Sequence, residues 1–296
     1  MRIIALAMLL ALPLSAQDMA DVAITPHPVT DGITMLAGRG GNIAVLTGPD
    51  GVLMIDSQFQ PLSGKIRAAI ATLTDAPVRF LINTHWHGDH RGGNPDFRAL
   101  GAHILAHRNV RTRMMEGNYS AFRDHSTPPA PDSALPVLTF GDGIELYWNG
   151  QTVRVIHLPG AHTDGDAVVF FQPANVLHTG DVVFLSGYPY IDVSSGGSPH
   201  GVLAATDRIL ELIDAGTRVI VGHGPVADRT AIRQYREMLA TVLARIEAGI
   251  ADGKMPEALI AEGITGEFDP RWGGGWIDGP TFVRMVHAAL TAPEKK

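Results

Sequence analysis

The sequence has no cysteine. That excludes a disulfide frame, a thiolate zinc site and a cysteine nucleophile, so any metal must be held by imidazole and carboxylate. Positive charge is in the minority, 23 Lys and Arg against 30 Asp and Glu, for a formal net charge of −7. That counts against a nucleic-acid partner, which would normally need a basic face. No apolar run reaches the roughly 20 residues of a membrane-spanning helix, so no stable membrane anchor is expected either. What is present is an ordinary globular composition, 45% apolar, opened by MRIIALAMLLALPLSAQD. Arg2, the apolar stretch Ile3 to Leu12, Pro13 and small residues up to Ala16 have the layout of a secretory signal peptide. Cleavage after Ala16 would leave residues 17–296 as one exported domain, periplasmic in a host with two membranes.

Short runs rich in Val, Ile and aromatics, punctuated by Gly, Pro, Asp and Asn, predict strands. They are Ile33 to Ala37, Asn42 to Leu46, Val52 to Ile55, Val78 to Ile82, Ala102 to Leu105, Ile144 to Trp148, Val153 to Ile156, Ala167 to Phe171, Val176 to His178, Val182 to Phe184 and Arg218 to Val221. Helical periodicity fits Leu62 to Leu73, His200 to Ile213, Asp228 to Ile250 and Pro280 to Leu290. Strands interleaved with helices predict an α/β layered fold. Gly40 to Ser57 and Asp164 to Val183 share one plan: apolar strand, turn, apolar strand, then an acid, Asp56 or Asp181. A helix and a strand stopping on a histidine follow each, at His85 and His223. This predicts a pseudo-two-fold duplicated αβ/βα sandwich with its site at the shared edge of two sheets. Ser126 to Pro136 reads as an irregular surface connection, and Gly187 to Pro199 as a mobile loop able to overhang a site.

The densest chemistry lies in THWHGDH, Thr84 to His90. Three histidines and an aspartate follow a strand that should be buried, and Gly88 permits the tight turn that fans them around one point. Imidazole and carboxylate suit zinc, which at catalytic sites takes about three protein ligands and keeps one position open. One loop cannot easily close two metal sites. His162 in LPGAHTDGD, Asp181 in HTGDVVF and His223 in VGHGP supply candidates, each flanked by glycine near a strand end.

His-x-His-x-Asp-His, then Ala-His-Thr, Thr-Gly-Asp and Gly-His-Gly in that order, resembles the metallo-β-lactamase superfamily. The resemblance runs from about Gly40 to Gly224. It implies a four-layer αβ/βα sandwich and two Zn2+ ions, with iron or manganese as substitutes. It further implies one metal on His85, His87 and His162, a second on Asp89, His90 and His223, Asp181 bridging them, and Asp56 orienting a ligand from behind. Asp89 would also receive the proton of an activated water, the nucleophile in hydrolysis. The family pattern is specific for fold but not for substrate, which ranges over β-lactams, thioesters, lactones, sulfates and nucleic acids. Aspartate at position 181, where acquired β-lactamases of the family carry cysteine or serine, resembles the glyoxalase-type branch and predicts at most weak β-lactamase activity.

The expected function is hydrolysis of a small amide, lactone, ester or thioester. An iron-dependent oxygenase on the same scaffold and a non-catalytic metal-binding protein are the alternatives. Trp86 either lines the pocket or packs beneath the ligand loop, Tyr188 and Tyr190 are lid candidates, and His178 and His200 are candidates for supporting the site.

Overall fold

Alternation along the strands sets the layering. The structure, a computed structural model, describes residues 19–292, so the signal-peptide reading of residues 1–16 lies outside it. In chain order, β1 (Thr25–Thr30), β2 (Ile33–Ala37), β3 (Ile43–Leu46) and β4 (Val52–Ile55) lead to α1 (Ser63–Ala71), β5 (Val78–Ile82), α2 (Gly88–Arg91) and α3 (Asn94–Ala99). There follow β6 (His103–His107), α4 (Arg108–Glu116), a hairpin of β7 (Asn118–Ser120) and β8 (His125–Thr127), and β9 (Leu138–Phe140). The second half comprises β10 (Gly143–Trp148), β11 (Gln151–His157), β12 (Ala167–Gln172), β13 (Val176–His178), α5 (Pro199–Leu212), β14 (Arg218–Ile220), α6 (Arg229–Ala251), α7 (Pro256–Ala261), α8 (Asp269–Trp272) and α9 (Gly279–Thr291).

Seven strands form one sheet, β1-β2-β3-β4-β5-β6-β9, and five form another, β10-β11-β12-β13-β14. Met35, Ala44, Leu46, Leu53 and Ile55 on the first meet Val153, Val155, Val169, Phe171 and Ile220 on the second, filling the space between them. Their neighbours Leu36, Ile43, Val45 and Met54 point the other way, beneath Ile66 and Ile70 of α1 and Phe97 of α3. Val168, Phe170, Leu177 and Val219 likewise face Ile209 of α5, Tyr235 and Val242 of α6, and Phe282 of α9. Helices, sheet, sheet, helices: this is the expected four-layer sandwich. Each fully buried aliphatic side chain in these layers stabilises by about 1.5–3 kcal/mol, so the strand ends that carry the site are anchored on both faces.

The duplication is visible in hydrogen bonds. β3 and β4 pair antiparallel and β4 and β5 parallel, while β12 and β13 pair antiparallel and β13 and β14 parallel. Register makes Ile55 equivalent to His178, since they face Ile82 and Ile220. By the same registers Asn42 corresponds to Ala167, and Thr84 to Gly222. The two halves then join through a matched pair of bonds: the Asn42 N–H donates to the Gly222 carbonyl at 2.7 Å, and the Ala167 N–H to the Thr84 carbonyl at 2.8 Å. The Asn42 side chain adds bonds to the Val221 and Gly224 carbonyls, both at 2.8 Å. The acids are not equivalent, however. Asp56 corresponds to Thr179, and Asp181 lies two residues further on, in a 3-10 turn at Gly180–Val182. Residues Val182 to Phe184 therefore do not form the expected strand; Phe184 makes only an isolated bridge with His223.

Candidate metal centre

The predicted donors gather at the shared edge, on the strand ends, turns and short helix that border it. β5 runs into Thr84–His85, α2 presents Asp89 and His90, and the chain leaving β14 presents His223. His162 lies between β11 and β12, and Asp181 sits in the turn after β13. The structure brings all seven together in three overlapping groups: His85, His87 and His162; His85, His90 and Asp181; and Asp89, His90 and His223. Among the described residues no other set of three such donors gathers as tightly.

His87 Nδ1 lies 3.1 Å from His85 Nε2 and 2.8 Å from His162 Nε2. On the other side, His223 Nε2 is 3.3 Å from His90 Nε2 and 3.2 Å from Asp89 Oδ2. The Asp181 carboxylate stands between the two groups, 3.2 Å from His90, 3.5 Å from His223, 3.8 Å from His162 and 3.9 Å from His85. Tetrahedral zinc with bonds of about 2.0–2.1 Å sets neighbouring donors about 3.3 Å apart, so these spacings fit a shared cation on each side. Asp181 Oδ1 is buried and receives no hydrogen bond, an acceptor that only a cation or a proton would satisfy.

The opposite ring nitrogens are all occupied where a partner is seen. His90 Nδ1 donates to Asp56 Oδ2 at 2.8 Å, His162 Nδ1 to the Tyr190 carbonyl at 2.7 Å, and His87 Nε2 to Asp192 Oδ2 at 2.9 Å. His85 Nδ1 donates to Thr84 Oγ1 at 3.0 Å, which in turn donates to Asp56 Oδ2 at 2.8 Å. These bonds turn a lone pair of each ring inward, the arrangement metal-ligating histidines use. Asp56 also accepts from the Thr84 N–H at 2.8 Å, so one buried carboxylate orients two of the rings. His178 supports the site from behind, accepting from the Gly180 N–H at 3.1 Å and donating to the Asn42 carbonyl at 3.0 Å. His200 is exposed and pairs with Glu247, so it plays no such part.

Electrostatics divides the donors. Burial holds His85 and His87 below the ordinary imidazole value, keeping them neutral. Burial also opposes a charged His223, but Asp181 and Asp89 outweigh it and push it up to about 9. His90 is driven up in the same way, by Asp181, Asp89 and Asp56 against its burial. A cation at the second group would therefore compete with protons for His90 and His223.

Thr84 and Gly222 are equivalent positions with opposite effects on the two acids. Thr84 captures Asp56 with two bonds and keeps it behind the rings. At Gly222 a Cβ would overlap Asp181 Oδ1, and its absence leaves that carboxylate free to face the centre. Gly222→Ala is expected to displace Asp181 and lower metal content and any metal-dependent rate by at least about tenfold. Metal analysis beside a thermal melt checks this, since a change confined to the melt would place the effect in folding alone.

Two expectations change, for Tyr188 and for the loop around it, and the alternatives for Trp86 are decided. Tyr188 is buried, stacks on Phe282 at 5.0 Å and donates to Asp269 Oδ1 at 2.9 Å; it is a core residue and not a lid. Trp86 is 3% exposed and packs beneath the ligand loop with Val110, Met114 and Leu135, so it does not line the pocket. Nor is Gly187 to Pro199, the segment around Tyr188, a loose loop. Most of it is buried, and it carries Asp192, which the sequence reading missed. Asp192 also accepts from Ser195 Oγ, at 2.6 Å, and from Ser194 Oγ, which fix its carboxylate. Asp192→Asn is expected to weaken metal binding about 10- to 100-fold through His87, measurable by competition with a chelator. Tyr190 does wall the centre, its ring 6.0 Å from His87 and 5.9 Å from His162.

A duplicated four-layer sandwich with a His/Asp centre at its sheet edge defines a class of metallo-hydrolase folds. The family model of the metallo-beta-lactamase superfamily matches residues 36–224, and the chain belongs to that superfamily. It is similar to a beta-lactamase-like protein 2 homolog of Caenorhabditis elegans, 24% identical over 87% of this chain and 81% of that one. A hydroxyacylglutathione hydrolase of Nitrosococcus oceani is 28% identical over 60% of this chain and 61% of its own. Among solved structures, the stereoselective inverting sec-alkylsulfatase of Pseudomonas sp. matches with a TM-score of 0.66 at 17% identity, covering 90% of this chain. This chain spans only 50% of that sulfatase. A metallo-beta-lactamase from Pontibacter korlensis matches with a TM-score of 0.60 at 17% identity, covering 73% of this chain and 99% of its own. These structural likenesses establish the fold.

Proposed function

We propose that the protein is an exported binuclear zinc hydrolase acting on a small ester, thioester, lactone or amide. The observation that carries this reading is the convergence of five histidines and two aspartates in three overlapping donor groups, the one containing Asp181 linking the other two through His85 and His90. A pair of divalent ions held there supplies Lewis acidity, lowering the pKa of water and polarising a carbonyl. The chain's own residues do the rest. His85, His87 and His162 would hold one ion, Asp89, His90 and His223 the other, with Asp181 between them. Asp89 is 27% exposed against 6% for Asp181, which makes it the carboxylate that water reaches and the one suited to accept its proton. Asp56, Asp192 and the Tyr190 carbonyl keep the rings aimed. Export rests on the N-terminal sequence pattern alone.

A thioester leads the substrate classes, because one relative is named a hydroxyacylglutathione hydrolase and another, of Aspergillus terreus, an atrochrysone carboxyl ACP thioesterase. The test is a hydrolysis screen of the zinc-loaded protein against a thioester, an acyl lactone, a β-lactam, a phosphodiester and an alkyl sulfate. The reading expects at least a tenfold preference for the thioester or lactone, abolished by chelation. Equal rates before and after metal depletion would overturn it.

A further inference from the structure

The hairpin β7–β8 is tied at its base to the segment that steadies the centre. Asn118 Nδ2 donates to Ser194 Oγ at 2.9 Å and to Ser195 Oγ at 3.0 Å, and Ser120 Oγ bonds Tyr190 OH at 3.0 Å. Its tip is free of such ties and carries Phe122 and Arg123. Phe122 lies 5.7 Å from the Tyr190 ring, which on its other contacts reaches His87 and His162. Arg123 stands over two rings, 6.0 Å from the centre of Tyr190 and 5.4 Å from that of Trp276. Among the described residues the Arg123 guanidinium has no acidic partner and no side-chain hydrogen bond; its neighbour Asp124 is instead engaged by Tyr119 OH at 2.7 Å.

Three features here are unlike an ordinary surface. Phe122 and Trp276 are 44% and 62% exposed, yet both crowd the Tyr190 wall of the centre. Large exposed aromatics gathered at one rim mark a recognition surface. Between the hairpin and α9 lies a cavity of about 340 Å³, walled by Phe122, Tyr190, Ile191 and Met285 and bordered by Asp192. It is large enough for an acyl chain or a ring, and it shares Tyr190 and Asp192 with the surroundings of the metal donors. Arg123 Cζ stands near both ring faces while no acid engages its N–H groups, which leaves the guanidinium fork available to a carboxylate.

We infer that this rim selects substrates: Arg123, braced by Tyr190 and Trp276, binds a carboxylate on the substrate while the adjoining cavity takes its apolar part. The reacting carbonyl is thereby set at the metal donors next to Tyr190. The inference rests on the hydrolase reading and sharpens it to anionic acyl substrates, for which Arg123 and Trp276 determine specificity and take no part in the chemistry.

The experiment pairs two versions of one thioester, one with a free carboxylate and one with that group as its methyl amide. The zinc-loaded protein, Arg123→Ala, Arg123→Lys and Trp276→Ala are compared on both. Wild type should prefer the carboxylate version, and Arg123→Ala should raise its KM about 10- to 100-fold, the size of a lost charge-assisted bond, with kcat and the amide version little changed. Arg123→Lys, which keeps charge but not the planar fork, should recover only part of the loss. Calorimetric titration with the carboxylate product, beside its amide, reads binding without turnover and should show the same dependence on Arg123. If the thioester is not hydrolysed, the thioester loses its lead among the substrate classes and the titration still decides this inference. Equal binding of acid and amide, or equal losses on both in Arg123→Ala, would overturn the inference.

Discussion

Asp181→Ala is expected to lower turnover by about three orders of magnitude and to reduce the bound metal below the two ions per chain proposed above. The reason is position. This carboxylate lies within 3.9 Å of four imidazole nitrogens, two from each donor group, so its loss is felt at both. A bridging charge that steadies two cations and the developing charge of a transition state is worth several kcal/mol, and each 1.36 kcal/mol is tenfold in rate. Asp181→Asn separates charge from shape, since the amide keeps the volume and one acceptor. Metal analysis with kcat/KM reads the outcome. Full metal content with near-normal turnover in Asp181→Ala would remove Asp181 from the role proposed for it.

The second large effect is on stability. Asp56 is fully buried and accepts from the Thr84 N–H, Thr84 Oγ1 and His90 Nδ1. Asp56→Ala leaves three buried donors without a partner. At about 1–3 kcal/mol for each unsatisfied group, partly relieved by water, the loss should approach about 3–5 kcal/mol. The backbone adds to this, because Asp56 has φ +63°, a left-handed conformation that aspartate and asparagine tolerate better than alanine. Asp56→Asn keeps that tolerance and two acceptor bonds, so it should lose about half as much. Denaturant unfolding of the metal-free proteins provides the numbers, and an Asp56→Ala loss below about 1 kcal/mol would mean that His90 and Thr84 find other partners.

Much of this arrangement was legible in the residues, for identifiable reasons. The predicted strands Val52 to Ile55, Val78 to Ile82 and Val176 to His178 coincide with β4, β5 and β13, because each is a short apolar run bounded by turn residues, and β4 and β13 are buried on both faces. The same sharp endings delivered the histidine cluster. What escaped had a competing signal. β1 contains Pro26 and Pro28, which only an edge strand tolerates, and it sits at the edge of its sheet. α4, Arg108–Glu116, buries only Val110 and Met114 on an otherwise polar helix, too thin a stripe to read. Val182 to Phe184 has strand composition, but a strand there would carry Asp181 along the sheet and away from the donors; the 3-10 turn swings it inward instead. The Gly- and Ser-rich stretch around Asp192 looked mobile because composition cannot show Tyr188 and Ile191 locking it into the core. Asp192 itself was hidden by distance, 105 residues from the His87 it orients.

The central claim is that two cations sit on either side of the Asp181 carboxylate. Anomalous diffraction at the zinc edge, on crystals of protein never exposed to chelator, tests it most directly. Two peaks are expected, one about 2.0–2.2 Å from His85, His87 and His162 and one at that distance from Asp89, His90 and His223. Fully ordered donors with no peak between them, or metal bound elsewhere on the chain, would contradict the account.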